Sequence, residues 1–245
     1  QEIINNPANK RQELLAERIV RGDIVSSDGR VLATTETDQK GNETRVYPYK
    51  NVFCHVVGRV WNSKTGIELE QSFPLLTSHV NPLKQLSNQL QGQKNQGDIV
   101  VTTLNAKLQQ IAYDALGNQK GAVVAIEPST GKVLAMVSKP DYDPNTVRSE
   151  WDSLVADEAG NSALLNRATQ GLYPPGSTFK ILTAMEYMRE NPSFDKYRYE
   201  CSGSDTFGGN VIRCYNGEHH GTVDLKSSLA HSCNGSFAHI GVGLN

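Results

Sequence analysis

Tyr173-Pro174-Pro175-Gly176-Ser177-Thr178-Phe179-Lys180 decides how the rest of the chain is read. Pro-Pro-Gly makes a tight turn, and Ile181, Leu182, Ala184, Met185, Tyr187 and Met188 behind it mark a helix. Ser177 therefore opens that helix, and Lys180 shares its face three residues on. A hydroxyl and an amine so placed can act as nucleophile and general base. Ser-x-x-Lys also occurs at Ser129/Lys132 and Ser193/Lys196, in a predicted hairpin turn and in a polar stretch after Pro192. Taken alone, Ser177 and Lys180 read as an N-cap serine with a solvated lysine.

A second motif changes that weighing. Ser232-Cys233-Asn234 is the one Ser-x-Asn in the chain and follows a predicted helix over Val223 to Ala230. By itself it reads as a helix end closed by Asn234-Gly235. Two such motifs in this order, behind a predicted sheet, are much rarer by chance.

Composition narrows the classes. The 245 residues suit one large or two modest domains, and the net charge of −2 gives no electrostatic case for nucleic acid. No apolar run approaches the roughly 18–20 residues that span a bilayer. The first residue is Gln1, so removal of an N-terminal anchor or signal is expected.

Asn9 to Ile19 reads as a helix entering a strand, and Arg21 to Ala33 as a hairpin about Asp28-Gly29. Thr34 to Glu43 is polar and expected as loop. Tyr47 to Val60 is rich in β-branched and aromatic residues, with Cys54 as a buried strand residue. A short helix is expected at Thr65 to Glu70, and Leu83 to Gly97, rich in Gln, Asn and Lys, as a linker or exposed loop. A strand at Ile99 to Thr103, a helix capped by Asn105, and apolar strands Gly121–Ile126 and Lys132–Val137 follow. Strands so continuously apolar predict a sheet covered on both faces. The fold class is α+β, helices on an antiparallel sheet, with domains at 1–97 and 98–245.

Ser-x-x-Lys followed by a Ser-x-Asn-type motif belongs to the signature of penicillin-binding proteins and class A β-lactamases. The chain resembles a class B penicillin-binding protein, a monofunctional D,D-transpeptidase. Arg21-Gly22-Asp23-Ile24, His55-Val56-Val57-Gly58 and Gly66-Ile67-Glu68 are similar to landmarks of that family's pedestal (dimerisation-type) domain. Gly131 to Val137, Asp143-Pro144-Asn145, Asn166-Arg167-Ala168 and Tyr173 to Lys180 are similar to the opening of its transpeptidase domain. The third family motif, Lys-Thr-Gly, should follow far downstream, but the sequence stops at Asn245. Lys64-Thr65-Gly66 precedes the nucleophile and is a coincidence. The expectation is the N-terminal part of a longer enzyme, with weak or no acylation by this part alone.

The resemblance implies attack by Ser177 on a terminal D-Ala-D-Ala amide or a β-lactam, with Lys180 as base. It further implies that Ser232 relays a proton to the leaving amine and that Asn234 binds the substrate peptide and fixes Lys180. The Ser177 N–H would be one oxyanion donor. Stem peptides and β-lactams as ligands, a membrane glycan polymerase (SEDS-type) partner and an extracytoplasmic site at the bacterial membrane come with it. A D,D-carboxypeptidase or β-lactamase shares Ser177 and Lys180, and a β-lactam sensor without turnover is a third reading.

Cys201, Asp205, Cys214, His219 and His220 lie within twenty residues. Cys201, Asp205, Cys214 and His220 make a sensible tetrahedral set for a structural zinc, closed to catalysis. A 201–214 disulfide in an extracellular protein is the second reading, and unpaired thiols with surface histidines are the third. Some relatives from anaerobic Gram-positive bacteria carry zinc in this region, which favours the metal. Cys233 is expected as small packing.

Overall fold

The computed structural model describes residues 14–158 and 160–244. The chain divides into two compact units, residues 1–172 and 173–245, and both mix helices with antiparallel strands. The division expected at 97/98 is not a break in packing. Val100–Val101 pairs in parallel with Ile24–Val25, so the strand expected to open a second domain completes a four-stranded sheet in the first unit.

That sheet also holds Val31–Thr37 and Glu43–Val46. The hairpin about Asp28-Gly29 forms, with Ile24 opposite Ala33 and Gly29 at φ +77°, a conformation open to glycine at little cost. Ile24, Leu32, Ala33, Tyr47, Phe53, Val57, Leu75, Leu104 and Ala106 form the core beneath it. Glu68, fully buried, anchors two guanidinium groups: Arg21 Nε at 2.6 Å and Arg45 Nε at 2.7 Å.

Several local expectations are corrected. Of the helix expected at Asn9 to Ile19, residues up to 13 lie outside the described residues. Thr34 to Glu43 is a second hairpin, Thr34–Thr37 pairing with Glu43–Val46. An edge ribbon wet on its outer face needs β-branched threonines rather than apolar alternation, so its composition resembles loop. Within Tyr47 to Val60 the chain is helical, over Lys50–Phe53 and Cys54–Val57. Cys54 is buried in a helix, because docking of Phe53, Cys54 and Val57 overrides strand propensity. Leu83 to Gly97 is mostly the helix Pro82–Leu90, capped by the Asn81 side chain with proline at its first turn, and then Asn95–Gln96 pairs with Ile19–Val20.

Strands Gly121–Ile126 and Val133–Lys139 form a two-stranded antiparallel ribbon. Ala135 and Val137 pack on Ala112 of the helix Ala106–Leu116. The buried Gln109 amide ties this helix to the ribbon, donating to Met136 O and accepting from Met136 N, both at 2.8 Å. Val124 and Ile126 are exposed, so this ribbon is not covered on both faces as expected.

The second unit is built on the helix Phe179–Glu190, with helices Leu225–Ala230 and Asn234–Val242 packed against it. Ala184, Tyr197, Leu225, Phe237 and Ile240 make its core. Asp224 and Ser227 form a reciprocal capping box at the start of Leu225–Ala230. Two antiparallel ribbons flank the helices: Tyr199–Cys201 with Gly221–Val223, and Ser204–Phe207 with Asn210–Arg213. Among the described residues no helix is long and apolar enough to cross a membrane.

Candidate active site

Ser177 lies in a single 3-10 turn, Gly176–Thr178, that runs directly into the helix Phe179–Glu190. Gly176 takes φ +55° to make the bend after the two prolines. The Ser177 N–H falls among the orphan donors of a helix start, where an oxyanion is well received. Lys180, one turn on, sends its Nζ to Ser232 O at 2.7 Å, Ser232 Oγ at 2.9 Å, Asn234 Oδ1 at 2.5 Å and Ser177 Oγ at 3.5 Å. Ser232 Oγ stands 2.8 Å from Ser177 Oγ. Four side chains expected from two separate motifs thus form one connected network. Burial lowers the Lys180 pKa from its usual 10.5, although the nearby sulfurs of Cys233 and Cys214 pull the other way.

The second motif is held as tightly as the first. Ser232 adopts φ +51°, a left-handed conformation a non-glycine residue takes only when its surroundings impose it. Its N–H donates to Leu229 O at 3.0 Å, and the Cys233 N–H to Ser228 O at 2.9 Å. Asn234 Nδ2 donates to Arg213 O at 2.8 Å, which turns Oδ1 toward Lys180 and leaves the second Nδ2 hydrogen for a ligand.

Directly behind this motif lie three sulfurs and an imidazole. The ligand atoms of Cys201, Cys214, His220 and Cys233 all fall within 4.8 Å of one another. Sγ of Cys214 is 3.7 Å from Sγ of Cys201 and 3.8 Å from Sγ of Cys233, and His220 Nδ1 is 3.4 Å from Sγ of Cys201. A tetrahedral zinc, with Zn–S about 2.3 Å and Zn–N about 2.0–2.1 Å, spaces sulfurs about 3.8 Å apart and sulfur from nitrogen about 3.6 Å. The residues therefore fit such an ion. His220 Nε2 is buried without a hydrogen bond, with Glu218 Oε2 3.6 Å away. Burial raises the Cys201 thiol, but backbone N–H groups of His220 and Gly203 and the Cys233 and His220 side chains outweigh it and bring it to about 6. Burial and the neighbouring sulfurs push Cys233 up to about 12. All four cysteines are free thiols, so the 201–214 disulfide is not formed.

Comparison with known proteins meets this geometry from another direction. Residues 121–242 match the penicillin binding protein transpeptidase domain. Peptidoglycan D,D-transpeptidase PbpA of Mycobacterium tuberculosis is 33% identical over 259 residues, covering 97% of this chain and 52% of that protein. MrdA of Escherichia coli, also a peptidoglycan D,D-transpeptidase, is 30% identical over 240 residues, covering 81% and 37%. The chain belongs to the class B penicillin-binding protein transpeptidases. The imipenem acyl-enzyme complex of penicillin-binding protein A from M. tuberculosis superposes with a TM-score of 0.79 at 32% identity, over 93% of this chain and 56% of that one. The chain spans about half the length of PbpA and 37% of that of MrdA.

In this class B chain the structure brings Ser177, Lys180, Ser232 and Asn234 together. It brings Cys201, Cys214 and His220 together but leaves Asp205 out: that exposed carboxylate accepts from Tyr199 Oη at 2.8 Å and from the Thr206 N–H at 2.7 Å. Cys233 completes the cluster instead, so it is more than the small packing residue expected. Arg213, whose carbonyl orients Asn234, carries no sequence signal for that role.

Proposed function

We propose that this chain carries the acylation machinery of a serine D,D-transpeptidase that cross-links peptidoglycan and is the target of β-lactams. The observation that carries it is the closed network of Ser177, Ser232, Lys180 and Asn234, with 2.8 Å between the two serine hydroxyls. Lys180, in its neutral form, removes a proton from the Ser177 hydroxyl, either directly or through Ser232. Ser177 Oγ then bonds to the carbonyl carbon of a terminal D-Ala-D-Ala amide. The Ser177 N–H stabilises the oxyanion, and Ser232 returns the proton to the leaving amine. Asn234 keeps Lys180 aimed and offers its remaining amide hydrogen to the stem peptide. An amine of a second stem peptide completes the transfer.

The reading carries three companions. Its ligands are stem peptides and the β-lactams that mimic them. Its place is the extracytoplasmic face of a bacterial membrane, reached by an N-terminal anchor, beside a membrane glycan polymerase. Its segment from Cys201 to His220 holds a structural zinc, drawing on Cys201, Cys214 and His220, which would brace the loop before Ser232. When bound, such an ion supplies a fixed tetrahedral crosslink and no open coordination position.

The test is a penicillin adduct, sought over a long incubation because this part alone is expected to acylate weakly, and mapped by mass spectrometry. Modification at Ser177, absent in Ser177→Ala and absent at Ser129 and Ser193, supports the reading. An adduct elsewhere, or one that turns over within minutes as in a hydrolase, sinks it.

A further inference from the structure

Cys233 is the middle residue of Ser232-Cys233-Asn234, and Cys214 directly follows Arg213. Both peptide segments that orient the second catalytic motif therefore run into sulfurs of one cluster. Ser232 and Asn234 flank the Cys233 sulfur, and Asn234 Nδ2 is held at 2.8 Å by the carbonyl of Arg213. Cys233 is wholly buried, and its sulfur, 3.8 Å from that of Cys214, also accepts the Ser236 N–H at 3.5 Å at the start of the helix Asn234–Val242. Packing alone does not require a sulfur to close a tetrahedral set, and the Sγ to Sγ spacings are those of ligands around one ion.

Building on the zinc reading, we infer that Cys233 is the fourth metal ligand, giving a three-cysteine, one-histidine site, and that through Cys233 and Cys214 the ion positions Ser232 and Asn234. The ion is then a positioning element for the acylation network and takes no part in the chemistry. The left-handed backbone at Ser232 fits this arrangement, because a residue forced into that region needs anchoring on both sides. Leu229 O holds it upstream, and Cys233 holds it downstream. Glu218, near His220 Nε2, stands where a carboxylate commonly orients a metal-bound imidazole.

X-ray absorption at the metal edge of the zinc-loaded wild-type chain tests the ligand set without any variant. Three sulfurs and one nitrogen support it, and two sulfurs with oxygen overturn it while leaving the zinc reading intact. A wild-type chain purified without chelator that binds no zinc overturns both. Cobalt substitution gives the second arm: Cys233→Ser loses one of the three thiolate contributions to the near-ultraviolet charge-transfer band and binds metal at least about tenfold more weakly, whereas Asp205→Asn changes neither. An unchanged Cys233→Ser spectrum overturns the assignment. The positioning claim is read by NMR of the Asn234 side-chain amide in the wild-type chain. Its resonances shift and broaden when chelator removes the metal, and resonances indifferent to chelation overturn the claim.

Discussion

Ser177 Oγ lies closer to Ser232 Oγ, at 2.8 Å, than to Lys180 Nζ, at 3.5 Å, and Ser232 Oγ in turn lies 2.9 Å from Lys180 Nζ. The shortest hydrogen-bonded route from the proposed nucleophile to the proposed base therefore passes through Ser232. Ser232→Ala should lower the rate of penicillin acylation at Ser177 by about 10²–10⁴-fold, the usual worth of a proton-transfer group. Mass-spectrometric counting of the Ser177 adduct over a long time course measures it, since this part alone is expected to acylate slowly. A near wild-type acylation rate would mean that Lys180 takes the proton directly and that Ser232 acts only after acylation.

As the proposed base, Lys180 should set the pH dependence of acylation. Burial lowers its pKa in the folded chain, so the neutral amine becomes available below the pH where a free lysine deprotonates. Acylation should rise with pH to a plateau, with a midpoint below 10.5. Between the folded and unfolded pKa values the unfolded chain binds more protons, so this residue makes folding more favourable as pH rises through that window. Lys180→Met removes both effects. The idea fails if the acylation midpoint stays at the value of a free lysine.

Ser177, Lys180, Ser232 and Asn234 were legible because each motif is local: a turn, a helix start and short fixed spacings. Cys233 as part of the cysteine cluster was not, because its neighbours come from strand Tyr199–Cys201 and the end of Asn210–Arg213, and only the pairing of two ribbons brings them together. Asp205 looked right by residue type and by nearness in sequence. Its ribbon instead sets it opposite Ile212, with its carboxylate on Tyr199. In the first unit the same contrast holds. The Asp28-Gly29 hairpin was readable from its turn, while the helix at Cys54–Val57 depends on burial that local propensity does not encode.

Glu68 is a buried carboxylate of the first unit. It is fully buried and shared by Arg21 and Arg45, themselves nearly buried. Glu68→Ala leaves two guanidinium groups without their counter-charge and should cost about 3–5 kcal/mol. Arg45 keeps bonds to Gly22 O at 2.8 Å and Thr35 Oγ1 at 3.0 Å, which hold it in place but supply no counter-charge. Urea unfolding of the chain gives the value. A midpoint equal to wild type would show that water or rearrangement replaces the carboxylate.

Gly235 follows Asn234 and looks like a helix terminator in the sequence, yet it sits in the first turn of the helix Asn234–Val242. A Cβ there would lie 2.6 Å from Tyr199 Oη and 3.2 Å from its Cζ. The tyrosine cannot simply swing aside, because its hydroxyl is bonded to Asp205 and its ring packs 5.6 Å from that of His239. Gly235→Ala should therefore destabilise the chain by about 1–3 kcal/mol, the usual cost of overpacking. It should also slow acylation, since the clash falls one residue from Asn234. Tyr199→Phe removes the nearest atom and gives up a hydrogen bond worth about 1 kcal/mol. In the double variant the clash relaxes to the 3.2 Å contact, so the two substitutions should cost less together than the sum of their separate costs. Thermal unfolding of the four members of this cycle measures the coupling. Strict additivity would show that Gly235 is needed for helix geometry alone and that Tyr199 does not set the identity of the residue after the Ser-x-Asn motif.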